Sequence, residues 1–268
     1  MLAKLIKYEF RATARILGVL YAALLVIAAV MRIQFTIGKA ANMSIMFPAI
    51  IVTLLYVAAI VAIGVLTLIL IVQRFYKNLL QNEGYLMHTL PVKMWQHISS
   101  KLFVSIIWCI ISMIIVVISF LIVGTIGVDL GNVFKFATNI SVHAIEEYGN
   151  TVPNIIAFVL EFIILILAGI AASILHIYLA MAIGQLVDDH KILCSFGAYV
   201  GISVVMQIVL GIFTSIFSAA GGHLNTLQVE SITAVHMVIW SVILAGIIKS
   251  VIFFIATNYL MKNKLNLE

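Results

Sequence analysis

Residues 102–126 read LFVSIIWCIISMIIVVISFLIVGTI and contain no charged side chain. An α-helix rises about 1.5 Å per residue, so about 20 residues cross the roughly 30 Å hydrocarbon core of a bilayer. A helix also satisfies its own backbone hydrogen bonds, for which lipid offers no partners. This stretch therefore predicts a transmembrane helix, and it indicates that the chain folds with a bilayer as its solvent.

Five more apolar runs of similar length lie on either side of this stretch. The six predicted spans cover residues 16–37, 48–72, 102–126, 155–181, 192–217 and 234–257. The composition agrees, because 64% of the residues are hydrophobic and 9% are charged, whereas about 25% are charged in a soluble domain. The sequence predicts an all-α integral membrane protein whose six transmembrane helices form a single transmembrane domain, residues 1–268.

The basic residues indicate how the spans are oriented. With the N-terminus placed inside, only Arg32, Lys39 and Lys135 of the 15 lysines and arginines fall on the outer side, Arg32 near the outer end of the first span. Lys249 lies within a span, and the others lie on the inner side, where positive charge accumulates in membrane proteins. We therefore predict that both termini are cytoplasmic. The formal charge of +5 is spread beside the spans, which argues against a nucleic acid as partner.

Residues 1–15 predict an amphipathic helix at the cytoplasmic membrane surface. At 100° per residue the basic side chains fall on one stripe and the apolar side chains lie away from it. The candidate residues of this interfacial helix are Lys4, Lys7, Glu9, Arg11 and Arg15. A basic flank that only sets the orientation is the alternative. Glu9 lies on the apolar side, where lipid alone does not favour a carboxylate, and this favours contact with another protein.

Residues 73–101 form the cytoplasmic loop between the second and third spans and read QRFYKNLLQNEGYLMHTLPVKMWQHISSK. The pattern predicts a helical continuation of the second span, a break at residues 82–84, a short apolar turn and a new helix after Leu90-Pro91-Val92. Tyr85, Leu86 and Leu90 are too apolar for a free loop, so they pack on something. A nearby membrane face and a partner protein are both compatible with this composition.

The loop resembles the corresponding segment of permeases of type 2 ABC transporters. That family typically has an acid-Gly-Thr sequence, a leucine-rich turn, Ser-Pro-Val and later Gly-Lys-Leu. The matching positions here are Glu83, Gly84, Leu86, Leu90, Pro91, Val92, Lys101 and Leu102. Tyr85 and Ser100 depart from the usual threonine and glycine. The opening MLAKLIKYEFRAT is similar to the connecting helix of many such permeases, especially small ones from Gram-positive bacteria.

The resemblance implies a function that needs a second protein. Such permeases have no nucleotide site, and a separate ATPase with Mg-ATP docks on their loop as on a coupling helix. The residues implied in ATPase coupling are Asn82, Glu83, Gly84, Tyr85, Leu86, Leu90 and Pro91. The resemblance also implies a bacterial plasma-membrane exporter of an amphipathic or hydrophobic substrate, such as an antimicrobial peptide, a drug or a lipid. A second copy of the permease or a paralogue completes it.

Two other interpretations come from different classes of protein. One is a secondary transporter or flippase that needs no ATPase. The three prolines lie at predicted helix starts, which argues against the broken helices common in secondary transporters. The other is a membrane sensor or scaffold that transports nothing.

No sequence motif predicts an active site in this chain. Gly38-Lys39 is followed by Ala40 and has no glycine at the earlier position that a phosphate loop needs. The chain also lacks an H-E-x-x-H zinc motif and a G-x-S-x-G elbow. We therefore predict no enzyme activity, no metal site and no cofactor in this chain.

Three ionisable residues within the predicted spans are candidates for a translocation pathway. Glu161 and Lys249 are costly if they face lipid, and His176 could titrate. The alternatives are that Lys249 extends along its own stem toward the interface, that a tilted helix brings Glu161 to headgroup water, and that His176 bonds a neighbouring carbonyl.

The remaining signals concern packing and the outer segments. Gly197 and Gly201 are spaced by four, which predicts close helix approach within one chain or at a dimer seam. Residues 127–154 and 218–233 are predicted as extracellular segments, and each has room for a short helix.

Overall fold

The computed structural model describes residues 2–41, 46–80, 93–124, 152–187, 190–226 and 231–263. Within these ranges every regular element is a helix and there is no strand, as predicted. The helices are α1 (Leu2–Ala41), α2 (Met46–Phe75), α3 (Met94–Gly124), α4 (Val152–Gly184), α5 (Lys191–Thr226) and α6 (Ser231–Asn263), and a π-helical turn (Tyr76–Leu80) extends α2.

All six helices are long and apolar enough to cross a membrane. The candidate spans are Leu5–Ile37, Ala49–Leu80, Met94–Gly124, Ile156–Gly184, Lys191–Ile212 and Val235–Asn263. Most of their large apolar side chains are exposed on the protein surface, for example Val26, Leu54 and Phe162. An aqueous solvent would penalise that surface, whereas lipid tails do not. The predicted count of six spans is confirmed, and it is compatible with a multi-pass membrane protein.

The helices extend beyond the predicted spans at both ends. Helix continues after the second span to Leu80 and begins again at Met94, which confirms both helical parts predicted for the loop of residues 73–101. The break between them, and all seven residues assigned to ATPase coupling, lie outside the described residues. A separate short helix is not found in the described part of residues 218–233, because α5 continues to Thr226 and α6 begins at Ser231.

Helix α1 runs without a break from Leu2 to Ala41, so the segment predicted as an interfacial helix continues directly into the first span. Its 40 residues correspond to about 60 Å, roughly twice the hydrocarbon thickness of a bilayer. Lys7, Arg11 and Arg15 are exposed, whereas Thr13 is buried. Tyr8 is 70% exposed as well, so exposure does not separate basic from apolar side chains here, and the position of this segment at a membrane surface stays a prediction.

The chain divides into two compact units, which we name by position. The N-terminal unit consists of Ala3–Ile71 and Phe103–Ile155, and the C-terminal unit consists of Met1–Leu2, Val72–Leu102 and Ile156–Glu268. The helical residues on either side of positions 81–92 thus belong to the same unit as α4, α5 and α6.

Hydroxyl groups join the helices of the N-terminal unit. The Ser112 hydroxyl lies 2.7 Å from the Tyr21 hydroxyl and 3.2 Å from that of Thr67, so it connects α1, α2 and α3. Tyr56 and Ser119 form a second hydroxyl pair at 2.9 Å. Each such bond contributes about 0.6 kcal/mol inside a membrane, which is a small part of the folding free energy. The main effect of these pairs is therefore to determine which helix faces contact each other.

Two close contacts shape the C-terminal unit. The ring of Phe75, at the end of α2, stacks on Tyr178 of α4 with centroids 3.9 Å apart, and both side chains are completely buried. At the turn between α4 and α5, a Cβ added to Gly184 would lie 2.6 Å from the Cα and N atoms of Ser195. Only glycine allows the two helices to approach so closely at this point.

Candidate functional site

A cavity of about 610 Å³ lies between α4, α5 and α6 in the C-terminal unit. This volume is within the range of about 300 to 1,000 Å³ that is usual for small-molecule sites. Its walls come from residues 169–176 of α4, 203–210 of α5 and 238–249 of α6, near the middle of all three helices. Part of the lining nevertheless lies near span ends, because Leu210 is two residues before the end of Lys191–Ile212 and Val238 is three residues after the start of Val235–Asn263.

The polar side chains of the cavity follow helical spacing on each wall. Positions three, four and seven apart share one face of a helix. The polar lining residues are Ser173 and His176 on α4, Ser203 and Gln207 on α5, and Ser241 and Lys249 on α6. Gly169, Ala172 and Gly246 supply small residues between them, which leaves the open volume. Each of the three helices therefore turns a face with polar and small residues toward the others.

The serine hydroxyl hydrogens of the cavity are already in use. Ser173 donates to the Ile170 carbonyl, and Ser203 donates to the Tyr199 carbonyl. Ser241 donates to Val238 in the same way. The hydroxyl oxygens keep free lone pairs, so they can accept a hydrogen bond from a ligand or from a cationic side chain.

His176 forms the buried end of the cavity, with 6% of its surface exposed. Its ring stacks on Tyr199 at 4.5 Å between centroids and contacts Phe253 at 5.5 Å. These two rings fix the plane of the imidazole. Among the described residues, Nε2 has no hydrogen-bond partner. A buried polar atom without a partner costs about 1 to 3 kcal/mol, which a bound group or water would offset.

Lys249 contributes the positive charge of the cavity. Its Nζ atom lies 5.4 Å from the centroid of the Phe253 ring, and no carboxylate in the described ranges forms an ion pair with it. Placing an ammonium near the centre of a membrane helix costs roughly 2.5 to 3.5 kcal/mol, and a cation–π contact offsets only about 0.5 to 2 kcal/mol. Helix α6 continues to Asn263, about four turns beyond Lys249. The side chain is too short to reach that end.

Glu161 lies apart from the cavity lining, in an ion pair with His236. The Nδ1 atom of His236 lies 2.9 Å from both carboxylate oxygens, and the N–H donates to them. Phe158 stacks on the imidazole at 4.1 Å, and Glu161 is buried. The pair joins the first turns of α4 and α6. Glu161 therefore has a partner on a neighbouring helix and does not need headgroup water to neutralise it.

The structure brings two of the three candidate pathway residues into one site. His176 and Lys249 line the same cavity, and both contact the ring of Phe253. Glu161 is separate from them. In the described parts of the chain, no group of three His, Cys, Asp or Glu residues could hold a metal ion.

The prediction that Gly197 and Gly201 pack against another helix of the same chain is wrong. A Cβ added at either position would meet nothing within 4 Å in the described structure. The close approach of α4 and α5 occurs at Gly184 and Ser195 instead. A dimer seam along Gly197 and Gly201 stays a prediction.

Reasoning from the sequence missed His236 and the four neutral polar residues of the cavity. A signal existed for the latter, because Ser203 and Gln207 are four positions apart on α5, and Ser241 and Lys249 are eight apart on α6. No comparable signal paired His236 with Glu161, since they lie on different helices.

Comparison with protein-family models, with curated proteins and with solved structures found no match. The family proposal therefore depends on the residues of the loop and the N-terminal helix. The chemistry of the cavity is independent of that resemblance.

Proposed function

We propose that this chain is the membrane-spanning permease subunit of an ABC exporter in a bacterial plasma membrane. It moves an amphipathic or hydrophobic substrate, such as an antimicrobial peptide, a drug or a lipid, with energy from a separate ATPase that binds Mg-ATP. A second copy of the chain or a related permease completes the transporter. The loop of residues 73–101 supports the family, and the six long apolar helices support the membrane location.

One observation carries this proposal. The helical ends that flank residues 81–92 belong to the same compact unit as the helices around the cavity. Phe75, just before the π-helical turn, stacks on Tyr178, which is two positions from His176 on α4. The stack therefore joins the end of α2 to α4, the helix that also carries His176 of the cavity lining.

The proposed mechanism is mechanical. An ATPase that binds residues 82–91 displaces the end of α2 when its nucleotide domains close. The completely buried Phe75 ring then displaces Tyr178, because tightly packed cores transmit displacement and do not absorb it. Helix α4 moves with Tyr178 and changes the cavity that His176 lines. Two discrete packings of α2 against α4 would correspond to the two states of the transporter.

The competing functions differ in what drives them. A secondary transporter or flippase would move its substrate without ATP, and a sensor or scaffold would move nothing. Each could contain a polar cavity, so the cavity alone does not distinguish them. Binding of an ATPase to the loop does, because neither alternative requires it.

The decisive experiment measures ATPase binding and coupling. The first step asks whether an adjoining gene encodes a soluble ATPase with a Walker motif. That ATPase is co-expressed with the chain, and the two are purified together and reconstituted in liposomes. We expect co-purification of the two proteins and ATP hydrolysis that depends on this chain. Gly84→Trp should abolish both by blocking the coupling helix. Gly124→Trp is the control, since a side chain added there meets nothing within 4 Å at the other end of α3.

Two results would overturn the proposal. One is an ATPase that binds and turns over equally well with Gly84→Trp. The other is a chain that moves its substrate in liposomes without any ATPase, which would favour the secondary transporter.

A further inference from the structure

The cavity between α4, α5 and α6 has a buried inner end at His176 and a mouth where apolar and polar side chains are both exposed. His176 is buried at the inner end, while Leu210, Val238 and Val242 line the cavity and are about half exposed on the surface. The surface around them consists of exposed apolar side chains on membrane-length helices. A molecule that fills the cavity from this side therefore meets apolar side chains at the surface, with Lys249 along the wall and His176 at the inner end.

Lys249 is the one charged residue in the cavity lining, and none of the lining residues is acidic. The carboxylate of Glu161 lies outside the lining and is bound to His236. Lys249 has no carboxylate partner among the described residues. An anion would neutralise it and would accept hydrogen bonds from its ammonium group.

The other donors of the cavity suit the same ligand. The Gln207 amide supplies further N–H groups. Because the serine hydroxyl hydrogens bond their own helix backbones, the free donors are the Lys249 ammonium and the Gln207 amide. The Nε2 atom of His176 has no partner in the described structure. The ring bonds the Tyr199 backbone through its other nitrogen, so in the neutral ring Nε2 accepts a hydrogen bond from a protonated head-group oxygen, and it donates to an anion when the ring carries both protons. Several N–H donors around one site favour an oxyanion.

We propose that this cavity binds an amphipathic molecule with a single anionic head group, a phosphate or a carboxylate. The head group contacts Lys249 and His176, and the hydrocarbon part passes Leu210, Val238 and Val242 into the membrane. This inference rests on the proposed function only in identifying the bound molecule as cargo.

Dodecyl phosphate is the probe, and binding is measured on the chain alone in phosphatidylcholine nanodiscs, with empty nanodiscs subtracted. We expect saturable binding of dodecyl phosphate and of dodecanoate. Inorganic phosphate lacks the chain and dodecanol lacks the charge, so both should bind about tenfold more weakly or worse. Dodecyltrimethylammonium should not compete. Competition by dioleoyl phosphatidic acid would support the proposal and identify a bilayer lipid as one source of the head group.

Substitutions locate the binding on the cavity. Lys249→Gln should weaken dodecyl phosphate binding about tenfold, and Lys249→Arg should restore it. His176→Phe, which keeps a ring against Tyr199, should weaken binding several-fold. Lys262→Gln is the matched control, because Lys262 is an exposed lysine at the end of the same helix. It should bind like the unsubstituted chain.

Equal binding by Lys249→Gln and the unsubstituted chain would overturn the inference. Tighter binding of dodecyltrimethylammonium than of dodecyl phosphate would also overturn the inference. This second comparison uses only the unsubstituted chain, so it does not depend on whether a variant folds. Since no ATPase is present, these outcomes are independent of ATPase coupling. Binding by the chain, together with an ATPase that turns over equally well with Gly84→Trp, would leave the site standing and refute the exporter.

Discussion

The carboxylate of Glu161 shows how a single costly residue is accommodated among apolar helices. Its two oxygens accept one N–H at the edge of the His236 imidazole, and the Phe158 ring stacks on a face of that imidazole. We expect the pair to hold the first turns of α4 and α6 together. The role of Glu161 is then structural. Lys249 differs, because it has no carboxylate partner among the described residues and we propose that it binds an anionic ligand.

A double-mutant cycle tests the Glu161–His236 pair. Glu161→Gln and His236→Phe should each destabilise the protein by about 1 to 2 kcal/mol, because each removes a charge-assisted hydrogen bond between helices. The two effects should not add, and thermal unfolding in detergent micelles measures this. Additive losses would mean that the pair has no coupling. Glu161→Gln should leave dodecyl phosphate binding unchanged.

The chemistry of the cavity could be predicted from the sequence only in part. An ionisable side chain within an apolar run is conspicuous, so His176 and Lys249 were candidates before any contact was known. Ser173 and Gln207 are common residues, and only their position on a shared face makes them informative. Which faces meet depends on packing between helices, which periodicity along one helix does not determine.

Glycine at position 184 permits the closest contact between α4 and α5. Gly184→Ala should destabilise the protein by about 1 to 3 kcal/mol, because the new methyl group overlaps the backbone of Ser195. Gly201→Ala, on the open side of α5, should be neutral or stabilising by up to about 1 kcal/mol, since alanine favours helix. Thermal unfolding of both variants in the same detergent gives the comparison. An equal loss in both would show that the contact does not matter.

The stack of Phe75 on Tyr178 connects α2 with α4. Phe75→Leu keeps most of the volume and removes the ring contact, so we expect transport per ATP hydrolysed to fall several-fold while ATPase binding persists. Phe120→Leu is the control, because Phe120 makes an edge contact with Tyr56 within the N-terminal unit. Transport and hydrolysis that fall together in Phe75→Leu would indicate loss of folding or of ATPase binding, not loss of coupling.

The helices themselves were largely predictable, and the reason is the solvent. Apolar runs of span length leave no alternative to helix in lipid, so number and type follow from hydropathy. Their ends were less predictable. Polar residues such as Gln73 and Asn78 continue α2 because a helix does not need to stop where the hydrocarbon stops.

The orientation of the complete chain in the membrane can be tested by labelling. In a variant with Cys109 and Cys194 replaced by alanine, Asn139→Cys should react with a membrane-impermeant maleimide in intact cells. Asn82→Cys should react only after permeabilisation, because positive charge keeps its loop inside. The reverse pattern would place the proposed coupling loop outside the cell and remove the ATPase from consideration.

Helix α4 contains three of the features described above along one continuous rod, Val152–Gly184. Glu161 is near its first turns, His176 lies in the second half, and Tyr178 follows two positions later. From Glu161 to Tyr178 the rod measures about 26 Å, and no proline interrupts it. A continuous helix cannot translate or rotate at one end alone. A displacement of Tyr178 would therefore also act on the Glu161–His236 contact, so a change at the Phe75 stack and a change at that contact would belong to one rigid-body motion of α4.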